Sequence, residues 1–275
     1  MRSSPPLKRS RAPNSRAGSG PPGRRDRSED ETNEPGWIWG VHASLAALAN
    51  PARKIERLLA TRNAAARLPE TLPAGVEPHI LDPDAIDGML PHGAVHQGLA
   101  VRSRPLEPQT MEEACFPADD RPVVVLDQVT DPQNVGAVFR SAAAFGARAI
   151  ILQDRKSPPL TGALAKAAAG AVDTIPHVRV VNLARALAEL EKRGYLTVGL
   201  SGEAETDLAQ ALDDHRPIAL ALGAEGKGLR DLVAATCERS ARIPIAPDME
   251  SLNVSVAAAI ALYETRRRLS GPGKA

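Results

Sequence analysis

Aromatic side chains make up only 3% of this sequence, two Trp, two Tyr and three Phe in 275 residues. That is too few for a platform on which rings stack against exposed bases. Cysteine is as scarce: Cys115 and Cys237 cannot form a disulfide scaffold or, alone, a four-ligand zinc site. Apolar runs are short. The stretch 254–263 falls well below the roughly 20 residues needed to cross a bilayer, so no membrane partner is expected. His42, His79, His92, His96, His177 and His215 show no H-E-x-x-H or paired Cys/His spacing, and no metal is expected. There is no G-x-S-x-G elbow, which weakens a hydrolase reading. The G-x-G-x-x-G fingerprint after a first strand is missing too, which weakens a dinucleotide-dependent oxidoreductase. What remains is ordinary globular composition, 43% hydrophobic and 24% charged with a net charge of +1, on a chain long enough for about two domains. It reads as a soluble, intracellular, two-domain protein.

The neutral sum hides an uneven distribution. Up to residue 28 the chain carries eight basic residues (Arg2, Lys8, Arg9, Arg11, Arg16, Arg24, Arg25, Arg27) against one acid, Asp26. Rich in Pro, Ser and Gly as well, residues 1–35 cannot bury enough apolar surface to offset their ordering entropy, so a disordered basic tail is expected. It reads as a solubilising tail, as an arm adding sequence-independent attraction to nucleic acid, or as an organelle transit peptide. Residues 36–105 suggest a small α/β domain. WIWGVHASLAALAN gives a strand and a helix stopped at Asn50-Pro51, KIERLLAT, EPHIL and QGLAVRS give strands, and DAIDGML a helix. Residues 106–121 lack a sustained period and read as a linker.

From residue 122 onward, aliphatic strands alternate with helices. VVVLD (123–127), ARAIIL, TIPHVRV, LTVGLS, PIALALG and ARIPI are expected strands. DPQNVGAVFRSAAA, LTGALAKAAAGAV, NLARALAELEKRG and VSVAAAIALYETRRRL are expected helices, with another near Leu229. Such a pattern predicts a mostly parallel sheet covered on both faces, with ligands beyond the carboxyl ends of its strands.

Three loops at those ends carry chemistry. In DQVTDPQNVGAVFRS, Asp131 and Asn134 suit a helix start and Pro132 its first turn; Arg140, two turns on, offers a planar fork of donors for phosphate or an oxyanion. In LGAEGKGLR, three glycines allow close backbone approach to a ligand. The spacing is not a Walker A loop, because Ala221 replaces its first glycine and Gly228 its Ser/Thr. Glu225 inside those glycines is unusual for a plain turn. In IPIAPDMESLNVS, Ser251 or Asn253 caps the last helix or contacts a ligand.

These blocks, DPQNVGAVFRSAAAFG, LALGAEGKGLR and IPIAPDMESLNVSVAAAIALYE, resemble the three motifs of the SpoU family of RNA ribose 2′-O-methyltransferases. IWGVHASLAAL and HGAVHQGLAV resemble the L30e-like substrate-binding domain of its 23S rRNA guanosine branch. The resemblance covers about 37–269. It implies a SpoU methyltransferase domain over 122–271 with a deep trefoil knot, a homodimer, and S-adenosyl-L-methionine as cofactor, held largely by the backbone of Gly223, Ile243 and Leu252. Asn134, Arg140, Glu225, Ser251 and Asn253 match the polar active-site positions. Asn134 and Glu225 would orient Arg140, while Ser251 and Asn253 would shape the methyl-transfer site. The implied substrate is a guanosine of 23S rRNA in the bacterial cytoplasm. Alternatives are tRNA methylation, a non-catalytic RNA-binding or ribosome-assembly factor, and a mitochondrial-matrix location.

Overall fold

The computed structural model of the chain describes Met1 and residues 36–269. Apart from Met1, the expected basic tail lies outside the described residues. A first sheet contains β1 (Gly36–Trp39), β2 (Ile55–Ala60), β3 (Pro78–Ile80) and β4 (Leu99–Ser103), in the order β1-β4-β2-β3. β4 is antiparallel to both neighbours and β2 parallel to β3. These are the strands expected from their aliphatic runs. Helix α1 (Val41–Ala49) ends at Asn50, whose extended backbone (φ −86°, ψ 111°) is what a following proline imposes. Short helices α2 (Arg62–Ala65) and α3 (Pro83–Asp87) complete this domain.

Residues 106–121, expected as a linker, contain a helical turn, α4 (Met111–Ala114). Thr110 Oγ1 accepts from Glu113 N at 3.2 Å and Glu113 Oε2 from Thr110 N at 3.0 Å, a reciprocal cap. Ala114 and Cys115 behind it are buried against the second sheet.

That sheet contains β5 (Val123–Asp127), β6 (Ala149–Gln153), β7 (His177–Val180), β8 (Leu196–Leu200), β9 (Ile218–Gly223) and β10 (Arg239–Ala241). The order is β10-β8-β9-β5-β6-β7 and every pair is parallel. Helices α5 (Pro132–Ala144), α6 (Gly162–Ala168), α7 (Leu183–Lys192), α8 (Leu208–Ala211), α9 (Asp231–Thr236) and α10 (Val254–Leu269) cover it. β5 shows why both faces must be covered. Val124 and Leu126 join the core beneath α5 and α10, whereas Val123 and Val125 join the core beneath α7 and α9. Each such side chain contributes roughly 1.5–3 kcal/mol on burial.

Two expectations change. LTGALAKAAAGAV is not one helix: α6 stops at Ala168, Ala169 (φ 50°) and Gly170 (φ 97°) turn left-handed, and a 3-10 turn follows over Ala171–Asp173. A Cβ on Gly170 would lie 2.7 Å from the Ala46 Cβ of α1, so a residue that disfavours helix stands where the small domain packs on this segment. The last strand is Arg239–Ala241 rather than ARIPI. Pro244 and Pro247 lack the N–H that a ladder needs, and the chain leaves the sheet after a single bridge between Arg242 and Asp207.

Strand order positions the site. From β5 the chain moves outward to β6 and β7, then crosses to the opposite flank for β8, β9 and β10. Order therefore reverses between β5 and β9, where Asp127 pairs with Gly223 at the carboxyl ends. A ligand crevice is expected there.

Candidate active site

The loops after β5, β9 and β10 converge on that reversal. At the first, Asp131 Oδ1 caps α5 by accepting from Gln133 N at 3.2 Å, with Pro132 in the first turn. At the third, Asn253 caps α10: its Oδ1 accepts from Ser255 N at 2.9 Å, Ser255 Oγ at 2.6 Å and Val256 N at 3.4 Å. The expected cap is thus present, and the other polar atom of Asn253 is used elsewhere. Asn253 Nδ2 donates to Glu225 Oε1 at 2.6 Å and to Asn134 Oδ1 at 2.9 Å, and Asn134 Nδ2 donates to Glu225 Oε1 at 2.8 Å. Three side chains, one from each loop, close a hydrogen-bonded triangle. A carboxylate is the right third member, since it only accepts and both amides aim donors at it.

The same loops hold an ion pair that the sequence analysis did not single out, a buried aspartate with a half-exposed arginine. Asp127, 1% exposed, receives Arg230 Nε at 2.9 Å and Arg230 Nη2 at 2.8 Å on Oδ1, and the Arg230 backbone N–H at 3.0 Å on Oδ2. It clamps the far end of the glycine loop to the end of β5. The available signal was an acid closing an all-aliphatic strand and an arginine closing the glycine loop.

A cavity of about 630 Å³ adjoins the triangle, lined by residues 199–203 after β8, by the glycine loop, and by Ile243, Ser251 and Leu252. This is the size of a small-molecule site. Gly223 is required in its floor: a Cβ there would overlap the Gly228 carbonyl. Gly223, Ile243, Leu252, Glu225 and Ser251 all line the cavity.

Arg140 is placed differently. It is exposed on α5, about 9 Å along the axis from Asn134, and bonds to none of the described residues. Neither Asn134 nor Glu225 bonds to it here: both atoms of the Asn134 amide and Oε1 of Glu225 are engaged within the triangle. Neither cysteine offers a nucleophile. Burial pushes both thiols up to about 12, so they are neutral at physiological pH. Among the described residues no group of three or more His, Cys, Asp or Glu is placed to hold a metal ion, and no helix is long and apolar enough to cross a membrane.

Both parts of the chain match known protein families. The model of the SpoU rRNA Methylase family matches residues 121–263, and that for RNA 2′-O ribose methyltransferase substrate binding matches 37–109. The chain is 39% identical over 239 residues to the 23S rRNA (guanosine-2′-O-)-methyltransferase RlmB of Vibrio cholerae, covering 84% of this chain and 96% of the relative. It is 39% identical over 238 residues to the protein of the same name from Ralstonia nicotianae, covering 84% and 95%. The AdoMet-bound rRNA methyltransferase of Sinorhizobium meliloti superposes with a TM-score of 0.71 at 25% identity, over 87% of this chain and 89% of that one. The SpoU methyltransferase AviRb of Streptomyces viridochromogenes, in complex with AdoMet, shares the fold with a TM-score of 0.72 at 23% identity, over 86% and 91%.

Proposed function

This chain belongs to the SpoU rRNA Methylase family, and from that premise we propose that it methylates the ribose 2′-hydroxyl of a guanosine in 23S rRNA, with S-adenosyl-L-methionine as donor. The observation that carries the reading is the Asn134–Glu225–Asn253 triangle set over a cavity at the strand-order reversal. The cavity fits the cofactor: Gly223 lets the loop that lines it fold back against the Gly228 carbonyl, where any side chain would collide, and Ile243 and Leu252 supply apolar walls beside backbone groups. Bound there, the donor supplies a methyl group on a positively charged sulfur.

The residues of this chain then have separate tasks. The triangle holds three loop ends in register, so that cofactor and ribose share one fixed geometry. Ser251 adds a hydroxyl to the cavity wall. Arg140, uncommitted among the described residues, clamps an RNA phosphate and steadies the negative charge developing on the 2′-oxygen. A guanidinium is a poor base, so the proton leaves to phosphate or water. RNA is required because DNA lacks the acceptor oxygen. The small domain holds the folded rRNA, and the basic tail adds salt-sensitive attraction. The division into a tail over 1–35, an L30e-like RNA-binding domain over 36–105, a connector over 106–121 and a catalytic domain over 122–271 belongs to the same reading. So do the trefoil knot, the bacterial cytoplasm and a homodimer. In support of the dimer, Val256, Ile260 and Tyr263 form an exposed apolar stripe at helical spacing on α10.

Mass mapping of ribose methylation in rRNA from cells with and without the gene tests the proposal. Loss of one 23S guanosine methyl group is expected. Loss from tRNA instead would move the substrate to the sister branch, and an unchanged map with no cofactor binding by calorimetry would refute enzymatic function. Light scattering should give twice the chain mass.

A further inference from the structure

Domains joined only by a connector reorient by default, yet here the two are fastened by a buried ion pair. Arg53, between α1 and β2, donates from Nε to Asp173 Oδ1 at 2.6 Å and from Nη2 to Asp173 Oδ2 at 3.3 Å. The two side chains are 0% and 2% exposed. Asp173 closes the 3-10 turn that follows α6, so the pair joins the small domain to the large one. The remaining polar atoms are satisfied as well. Arg53 Nη1 reaches Ser103 Oγ and the Arg104 carbonyl, each at 3.3 Å, and Asn50 Nδ2 donates to Asp173 Oδ1 at 3.0 Å.

The surrounding seam is apolar and closely fitted. Ile38, Ala43 and Ala47 of the small domain share one buried cluster with Ala165 of α6. A Cβ on Gly36 would lie 2.9 Å from Thr161 Cβ, and one on Gly170 2.7 Å from Ala46 Cβ. A buried ion pair of this kind is unforgiving: separating the partners leaves two desolvated charges, so intermediate orientations are excluded. The seam also reaches the site. α6 packs on α5 through Gly136, where a Cβ would lie 2.5 Å from the Leu164 carbonyl oxygen, and α5 carries Asn134 and Arg140.

We propose that the Arg53–Asp173 pair locks the small domain in one orientation on α6, and that this fixed geometry selects which nucleotide of a folded RNA reaches the site. Arg53 and Asp173 are positioning residues, acting through domain placement. The RNA part of this inference rests on the methyltransferase reading; the lock itself does not.

The test uses the full chain carrying Asp173→Asn, which keeps the side-chain size and removes the charge. Amide hydrogen exchange over 171–175 is expected to accelerate, while calorimetric affinity for S-adenosyl-L-methionine stays within about twofold of wild type. Turnover of a 23S rRNA fragment should fall about 10- to 100-fold in kcat/KM, with methyl groups appearing at secondary positions. The double variant Arg53→Met/Asp173→Leu, apolar on both sides, should restore slow exchange and most of the RNA rate, because a buried pair tolerates joint apolar replacement. Unchanged kcat/KM and methylation map in Asp173→Asn would overturn the proposal. So would a double variant that binds the donor yet stays as slow as Asp173→Asn. A wild-type chain that methylates no RNA would defeat the functional reading alone, and the lock would then stand or fall on the exchange rates.

Discussion

Asn253→Asp separates the two roles of one residue. The substitution is isosteric, and the oxygen that caps α10 is retained, with its acceptor bonds from Ser255 and Val256. What changes is the other atom. A donor 2.6 Å from Glu225 Oε1 and 2.9 Å from Asn134 Oδ1 becomes an oxygen facing two oxygens. The two lost hydrogen bonds, both solvent-accessible, together contribute about 1 kcal/mol. Two carboxylates facing each other at this range add a repulsion between about 1 kcal/mol, if water screens them fully, and about 4 kcal/mol near a protein surface. The triangle is solvent-accessible, so the lower half of that range applies. A total of roughly 2–3 kcal/mol against the assembled site corresponds to about a 30- to 150-fold loss of kcat/KM. Methyl incorporation into a 23S rRNA fragment at neutral pH measures it, beside Asn253→Ser, which keeps a cap but introduces no charge. The serine variant should lose less than about tenfold, since it loses the same two exposed hydrogen bonds but introduces no charge. Lowering the pH should raise the activity of Asn253→Asp relative to Asn253→Ser. One of the two facing carboxyl groups then takes up a proton and donates where the amide did, whereas the serine variant gains nothing. If the two variants had equal rates across the pH range, charge at this position would be irrelevant and the triangle would not organise the site.

Arg140→Lys keeps the charge and loses the planar fork, so kcat should fall at least about tenfold while donor affinity is unchanged; full turnover in a single-turnover assay would refute the clamp. Gly223→Ala places a methyl group against the Gly228 carbonyl, and donor affinity by calorimetry should drop at least about tenfold as the loop shifts, costing roughly 1–3 kcal/mol; wild-type affinity would remove Gly223 from the cradle. Deleting residues 1–35 removes the eight basic residues up to position 28. RNA affinity should then fall most at low salt, and its logarithmic salt slope should shrink by roughly 0.7 for each phosphate that the tail neutralises; an unchanged slope would show that the tail neutralises none.

Most strands were legible because a strand buried on both faces must be continuously aliphatic. VVVLD is β5 residue for residue, and the last helix, 254–269, is equally plain. The failures share one cause, competition from distant parts of the chain. In AKAAAGAV the glycine offers a local stop, and the close approach of α1 to Gly170 is the distant element that sequence could not show. The reciprocal cap Thr110–Glu113 was readable as S/T-x-x-E and marks the helix within the connector. At the site, Asn134, Glu225, Ser251 and Asn253 stood out as polar residues at strand ends, and the structure brings three of them into direct contact. Their partners were not legible. The pairs Asp127–Arg230 and Arg53–Asp173 span 103 and 120 residues, and which acid meets which arginine depends on strand order and domain docking. For the same reason spacing could not show that Asn134 and Glu225 bond each other rather than Arg140.

The site is held at two depths, and the difference has a physical consequence. At its root, the glycine loop is tied to the end of β5 by the buried Asp127 carboxylate, which accepts from the backbone N–H and the half-exposed guanidinium of Arg230. At its tip, the Asn134–Glu225–Asn253 triangle lies in contact with solvent, where each hydrogen bond is nearly balanced by one to water. The triangle therefore adds little to folding stability on its own. Once donor and RNA cover it, the local dielectric falls and the same three bonds strengthen. Part of the stabilisation of the three-loop arrangement would then be realised only with both ligands in place, and it would appear as cooperative binding of donor and RNA.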